Sequence, residues 1–101
     1  MIGLGRLQRS VLWHLLEEGT GTATELCRLI GCRTVHLERT LLTLRAQKLL
    51  QTTPCPPERR RSHRGRTPLL FGLTPAGIQA ALPIDRDEVQ FARQAQEEAE
   101  A

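Results

Sequence analysis

The side chains able to do chemistry in this chain are three cysteines, three histidines and an arginine-dominated set of cations. Cys32 and His36 stand four residues apart, a spacing that shares one helix face and suits a pair of zinc ligands. Cys27 and Cys55 could extend that pair into a metal or redox sensor. Cys27 and Cys32, however, fall where a helical core needs small apolar side chains, a role cysteine fills well. No metal or cofactor is therefore expected. Cys55, between Pro54 and Pro56, is expected in an exposed loop, either as an incidental surface thiol or as a thiol activated by nearby arginines. An odd cysteine count without a C-x-x-C pair argues against a disulfide framework and suits a reducing compartment. An enzyme is not expected either. There is no phosphate-binding glycine loop, no paired carboxylates beside a plausible pocket and no nucleophile with an evident base. His14 reads as a packing histidine at the margin of an apolar helix face.

The arginines carry a clearer signal. Thirteen of the fourteen basic residues are arginine, and Arg59, Arg60, Arg61, Arg64 and Arg66, with His63, crowd into eight positions. A guanidinium can grip a phosphate or a guanine edge with two parallel hydrogen bonds, which an ammonium cannot. The net charge of +3 divides unevenly, with +7 on residues 1–82 and −4 on residues 83–101. A basic body with an acidic tail favours a polyanionic partner over a small neutral ligand.

These groups need a scaffold, and 101 residues suffice for one domain with a single core. From Leu4 to Glu18 the apolar residues Leu4, Leu7, Val11, Leu12, Leu15 and Leu16 fall on one helical arc, which Gly19 and Gly21 end. Thr22-Ala23-Thr24-Glu25 has capping-box spacing and opens a short helix that Gly31 closes. A third helix is expected from Cys32 to Lys48, with Leu37, Leu41 and Leu44 inward. Leu50 to Thr53 reads as a strand. Pro54 to Pro68 reads as irregular, and Leu69, Phe71 and Leu73 alternate on a returning strand. Thr74-Pro75 supplies an N-cap and a first-turn proline for a brief helix to Leu82, which Pro83 stops. Asp85-Arg86-Asp87-Glu88 is a second capping box, expected to open a last helix toward Ala101. No apolar run approaches the roughly 20 residues of a membrane span. The first residues lack the features of a secretory signal, so a cytoplasmic protein is expected.

The stretch from Glu25 to Leu37, with Gly31-Cys32 at its turn, resembles the helix-turn-helix of bacterial winged-helix regulators. The likeness continues through Leu41, Leu44 and Leu49-Leu50, and Leu73-Thr74-Pro75-Ala76-Gly77 is similar to the wing-to-helix junction of MarR-like and PadR-like repressors. The resemblance implies a mainly α fold with a small β-hairpin: a winged helix-turn-helix with a three-helix core, a two-stranded wing at about 50–73 and additional C-terminal helices. It divides the chain into a winged-helix domain at 1–82 and an acidic C-terminal helix at 83–101, a dimerisation element or a tail. It also implies a regulator that binds double-stranded DNA as a homodimer, probing the major groove with the third helix.

By that resemblance Arg33, Thr34, His36 and Arg39 are the base-reading and phosphate-contacting positions, and the arginines from Arg59 to Arg66 lie on phosphates or in the minor groove. Three features depart from the pattern. Glu38 shares the outer face and should repel phosphate. Val35 and Leu42, seven apart, put apolar surface there and would equally suit a protein-binding module. Lys48 stands where such proteins usually have glycine; a positive φ at that turn would cost lysine about 1 kcal/mol. Trp13 projects away from the core face of the first helix. With Val89 and Phe91 it is a candidate interface for a second copy, unless the chain's end folds back over it.

Overall fold

In the computed structural model, residues 4–56 and 69–92 are described. Gly5 opens α1 (Arg6–Glu18), and Gly19 ends it at φ 90°, outside the range of most L residues. The extended pair Thr20–Gly21 forms β1. α2 (Ala23–Ile30) and α3 (Thr34–Ala46) follow, then β2 (Leu50–Pro54), β3 (Leu69–Leu73) and α4 (Pro75–Ala81). A single 3-10 turn (Arg86–Glu88) precedes the extended Val89.

Leu12, Leu15, Leu26, Ile30, Leu37, Leu41 and Leu44 are fully buried in one cluster that α1, α2 and α3 share, with Leu50 and Ala81 closing it. Each such side chain contributes about 1.5–3 kcal/mol by leaving water, so leucine alone can hold a core with so few aromatics. The expected inward faces of α1 and α3 are those observed.

The sheet has three strands in the order β1-β3-β2, all antiparallel. Leu50 pairs with Leu73 and Pro54 with Leu69. Pro54 thus extends the strand beyond its expected end at Thr53, and it can because β2 is an edge, where a missing N–H costs no ladder bond. β1 was not foreseen. Gly21 does not help to end α1 but pairs with Phe71, as Thr20 does with Gly72. A two-residue strand has no period to read, so only the tertiary pairing discloses it.

Other expectations need correction. Leu69, Phe71 and Leu73 share one face of β3 as expected, but that face is not the more buried one. Phe71 and Leu73 pack against the core, Leu69 is exposed and Leu70 is buried instead. Cys55 is not a surface thiol, for it retains only 1% of its exposure. The capping box at Asp85 forms, with Glu88 reaching back to the Asp85 N–H at 3.3 Å, yet it opens only one 3-10 turn, and helix is entered again at Ala92, where the described residues end. The arginines 59, 60, 61, 64 and 66, His63 and the end of the expected last helix, residues 93–101, lie outside the described residues. No helix among the described residues is long and apolar enough to cross a membrane.

Candidate nucleic-acid interface

The corner between α2 and α3 is built from its caps. Thr22 Oγ1 accepts from the Glu25 N–H and the Glu25 carboxylate accepts from the Thr22 N–H, both at 3.2 Å, so the expected capping box fixes where α2 begins. Gly31 ends it in the left-handed region (φ 75°, ψ 48°), donating to the Cys27 carbonyl at 2.7 Å. Only glycine takes that conformation without strain, and the site is also closed to a Cβ, which would lie 2.7 Å from the Ala92 Cα. Cys27 and Cys32, half-buried on either side of the turn, pack against the core where the helices cross. Burial and the neighbouring Cys27 thiol push the Cys32 thiol up to about 11, so it stays protonated and behaves as an apolar plug.

Leu37, Leu41 and Leu44 turn one side of α3 to the core, and this decides what its other side presents. Arg33, Thr34, His36 and Arg39 are all exposed, as expected. α3 begins at Thr34, two residues later than the sequence suggested, which leaves Arg33 as the N-cap residue in extended conformation. Its side chain makes no capping hydrogen bond, and the first turn holds no acidic residue. An arginine therefore stands at a helix start whose backbone N–H groups favour an anion. Thr34 is less free than the others: its Oγ1 lies 3.8 Å from the Cys27 Sγ, which donates to it.

The centre of the outer face is apolar. Val35 and Leu42 are 68% and 66% exposed, with Arg39 between them and Glu38 alongside. Val35, His36, Arg39 and Thr40, together with Leu7 of α1, line a shallow cavity of about 230 Å³. Arg45 is a further exposed cation that sequence reasoning passed over, seven residues beyond Glu38 and so on the same stripe. Its spacing alone could have found it.

The far end of α3 is held by the junction after β3. Thr74 donates its hydroxyl to the Lys48 carbonyl at 2.7 Å and its N–H to the Leu49 carbonyl at 3.1 Å. The same hydroxyl accepts from the Gly77 N–H at 3.0 Å, capping α4. Gly77 lies against this clasp so closely that a Cβ would collide with the Leu49 carbonyl. A helix-turn-helix, an antiparallel hairpin behind it and this clasp are now placed. The chain has the winged helix-turn-helix fold of the MarR regulators.

Solved structures agree with that assignment. Lactococcus lactis ZitR in complex with DNA superposes at a TM-score of 0.62 and 18% identity, covering 96% of this chain and 56% of that one. The same organism's ZitR, described as a zinc-responsive MarR family member, gives 0.64 and 20%, over 79% of this chain and 50% of that one. A cysteine variant of MarR from E. coli complexed with operator DNA gives 0.64 and 22%, over 77% and 51%. The chain spans about half the length of the ZitR structures it matches. No protein-family model matches the sequence, and no curated protein does.

The remaining candidates are placed as follows. His14 is buried and aimed at the Gln90 carbonyl, 3.1 Å from Nε2. Burial lowers its pKa, against smaller opposing contributions from that carbonyl and Glu18. Trp13 is half-buried, its ring edge-on to Phe91 at 5.3 Å and to His14 at 5.2 Å. Val89 is 2% exposed and already spent on this chain's own interior. Among the described residues, no group of three or more His, Cys, Asp or Glu side chains converges as a metal site would require.

Proposed function

We propose that the chain is a non-catalytic, sequence-specific regulator of transcription that binds double-stranded DNA, with α3 in the major groove. The observation that carries this is the outer face of α3, which starts at an uncapped N-terminus beside Arg33 and continues through His36 and Arg39, all exposed. Two of the proteins whose fold it shares, ZitR and MarR, are described in complex with DNA. Arg33 and Arg39 take guanine or phosphate, Thr34 and His36 make shorter hydrogen bonds, and Val35 meets a thymine methyl. The arginines from Arg59 to Arg66 supply non-specific affinity from phosphates or the minor groove. A repressor of this kind works as a homodimer on two half-sites about one helical turn apart. Trp13 and Phe91, partly exposed, are its candidate contacts.

Titration of a labelled random duplex at several salt concentrations tests the reading. Binding that weakens steeply with salt is expected, and alanine at Arg59, Arg60 and Arg61 should flatten the slope by roughly one unit for each phosphate that is no longer neutralised. Arg33→Ala or Arg39→Ala should instead relax base preference by about 1–3 kcal/mol at one position. Absence of salt-dependent binding would refute the proposal. It would favour a protein-interaction module, a second reading that rests on the exposure of Val35 and Leu42.

A further inference from the structure

The segment after the 3-10 turn stays on the body of the molecule, and Val89 to Phe91 lie outside any helix before helix is entered at Ala92. Val89 adopts an extended backbone (φ −102°, ψ 139°) and buries its side chain, and the next residue uses nearly every polar group it has. The Gln90 N–H donates to the Ser10 Oγ at 2.9 Å. Its carbonyl faces the His14 Nε2 at 3.1 Å, and because a carbonyl can only accept, that nitrogen carries the proton. Its side-chain amide donates to the carbonyls of Ile30 at 3.2 Å and Gly31 at 3.4 Å. Ser10 and His14 both belong to α1, whereas Ile30 and Gly31 are the end of α2 and the turn itself. One residue thus spans the gap between the supporting helix and the turn that aims α3.

The last carbonyls of a helix have no partner within it and must find one elsewhere. Here the partner comes from 60 positions along the chain. The neighbours reinforce the attachment. Ala92 lies directly over Gly31, close enough to leave no room for a Cβ there. Phe91 stacks edge-on against both Trp13 and His14, with the Arg86 guanidinium 5.2 Å over its ring. Glu88 pairs with Arg9 at 3.9 Å.

We propose that residues Val89 to Ala92 are a strap that fixes the helix-turn-helix angle, with Gln90 as the positioning residue for α3. None of its hydrogen bonds reaches the outer face of α3, so its bonds act on that helix through Ile30 and Gly31. The consequence for binding rests on the DNA reading above, whereas the consequence for the turn does not.

The test uses the full chain with Gln90→Met, which keeps the length and loses both amide donors, and Gln90→Glu, which sets a carboxylate against two carbonyls. Amide hydrogen exchange followed by mass spectrometry should show protection at residues 31–37 falling by about tenfold or more in both variants, while α4 keeps its own. In the folded variants the affinity for duplex DNA should fall by about fivefold or more, with an unchanged salt slope because every phosphate-binding cation is still present. Unaltered exchange at the turn would overturn the strap, as would wild-type affinity in a variant whose turn exchanges faster. If the wild-type chain binds no DNA, the functional reading fails, and the exchange measurement alone still decides whether the strap exists.

Discussion

Replacing Lys48 with glycine should stabilise this protein, although it removes a side chain and a charge. α3 stops in a complete left-handed cap: the Leu49 N–H reaches back to the Leu44 carbonyl at 3.0 Å and the Lys48 N–H to the Arg45 carbonyl at 2.9 Å. That pair of bonds requires the residue between them to adopt positive φ, which is why glycine usually occupies it. Lys48 is the one non-glycine residue at positive φ among those described, at 64°. An L side chain there costs about 1–2 kcal/mol. Glycine avoids that strain but gives back about 0.5–1 kcal/mol through the greater freedom of its unfolded chain. A net gain of about 0–1.5 kcal/mol remains, centred on about 0.75 kcal/mol, or about 3–6 °C in Tm for a domain of this size. Urea denaturation and calorimetry of Lys48→Gly and Lys48→Ala would measure it. Alanine keeps the Cβ and loses the charge, so it should stay within about 0.5 kcal/mol of wild type. If glycine and alanine prove equally stable at equal m-values, the cap stores no strain and the reasoning is wrong.

Three other outcomes follow from the same structure. Gly77→Ala should destabilise by at least about 2 kcal/mol in urea, because its Cβ meets a backbone carbonyl of Leu49 that no rotamer change can move aside. Stability should fall as pH drops below the ordinary histidine value of 6.5, because the unfolded chain then binds a proton that buried His14 resists, and the loss should level off once His14 itself protonates. His14→Phe, which preserves a ring beside Trp13 and Phe91, should remove that part of the pH dependence; an identical pH profile would refute the assignment. Alkylation at pH 8 with mapping by mass spectrometry should find Cys32 and Cys55 more than about tenfold slower than in the unfolded chain, the first held as a thiol near 11 and the second enclosed. Rapid labelling of Cys55 would contradict its burial.

The parts of this fold that could be read in the sequence are those decided by neighbours along the chain. Thr22 and Glu25, or Leu37, Leu41 and Leu44, need only helical geometry to find their roles, and Gly31 needs only its own backbone. What sequence reasoning missed was decided across the chain. β1 exists because Phe71 and Gly72 come to lie beside Thr20 and Gly21. Cys55, flanked by prolines, has every local mark of an exposed loop and is enclosed nevertheless. Asp85 and Glu88 make a genuine capping box, yet a single 3-10 turn and the non-helical residues Val89 to Phe91 stand between it and the helix entered at Ala92. Burial of Val89 and the bonds of Gln90 to two distant elements outweigh a weak local preference, in a stretch with little apolar face to favour helix. On α3 the same division appears: the exposure of Arg33, His36 and Arg39 followed from periodicity, whereas the attachment of Thr34 to Cys27 did not.

The orientation of α3 is therefore not a property of the helix-turn-helix alone. Its start hangs on a turn whose carbonyls are bonded by Gln90, and its end on a turn whose carbonyls are bonded by Thr74. Both partners lie after the hairpin, in the last third of the chain. Each binds backbone carbonyls, so neither dictates which side chains α3 may carry on its outer face. This separates aim from readout. Val35, Glu38, Arg39 and Leu42 can vary without disturbing either attachment, whereas loss of Thr74 or Gln90 would misdirect the face while leaving every one of its residues in place. A fragment ending near Leu50 would contain the whole helix-turn-helix, with neither of the attachments that aim it.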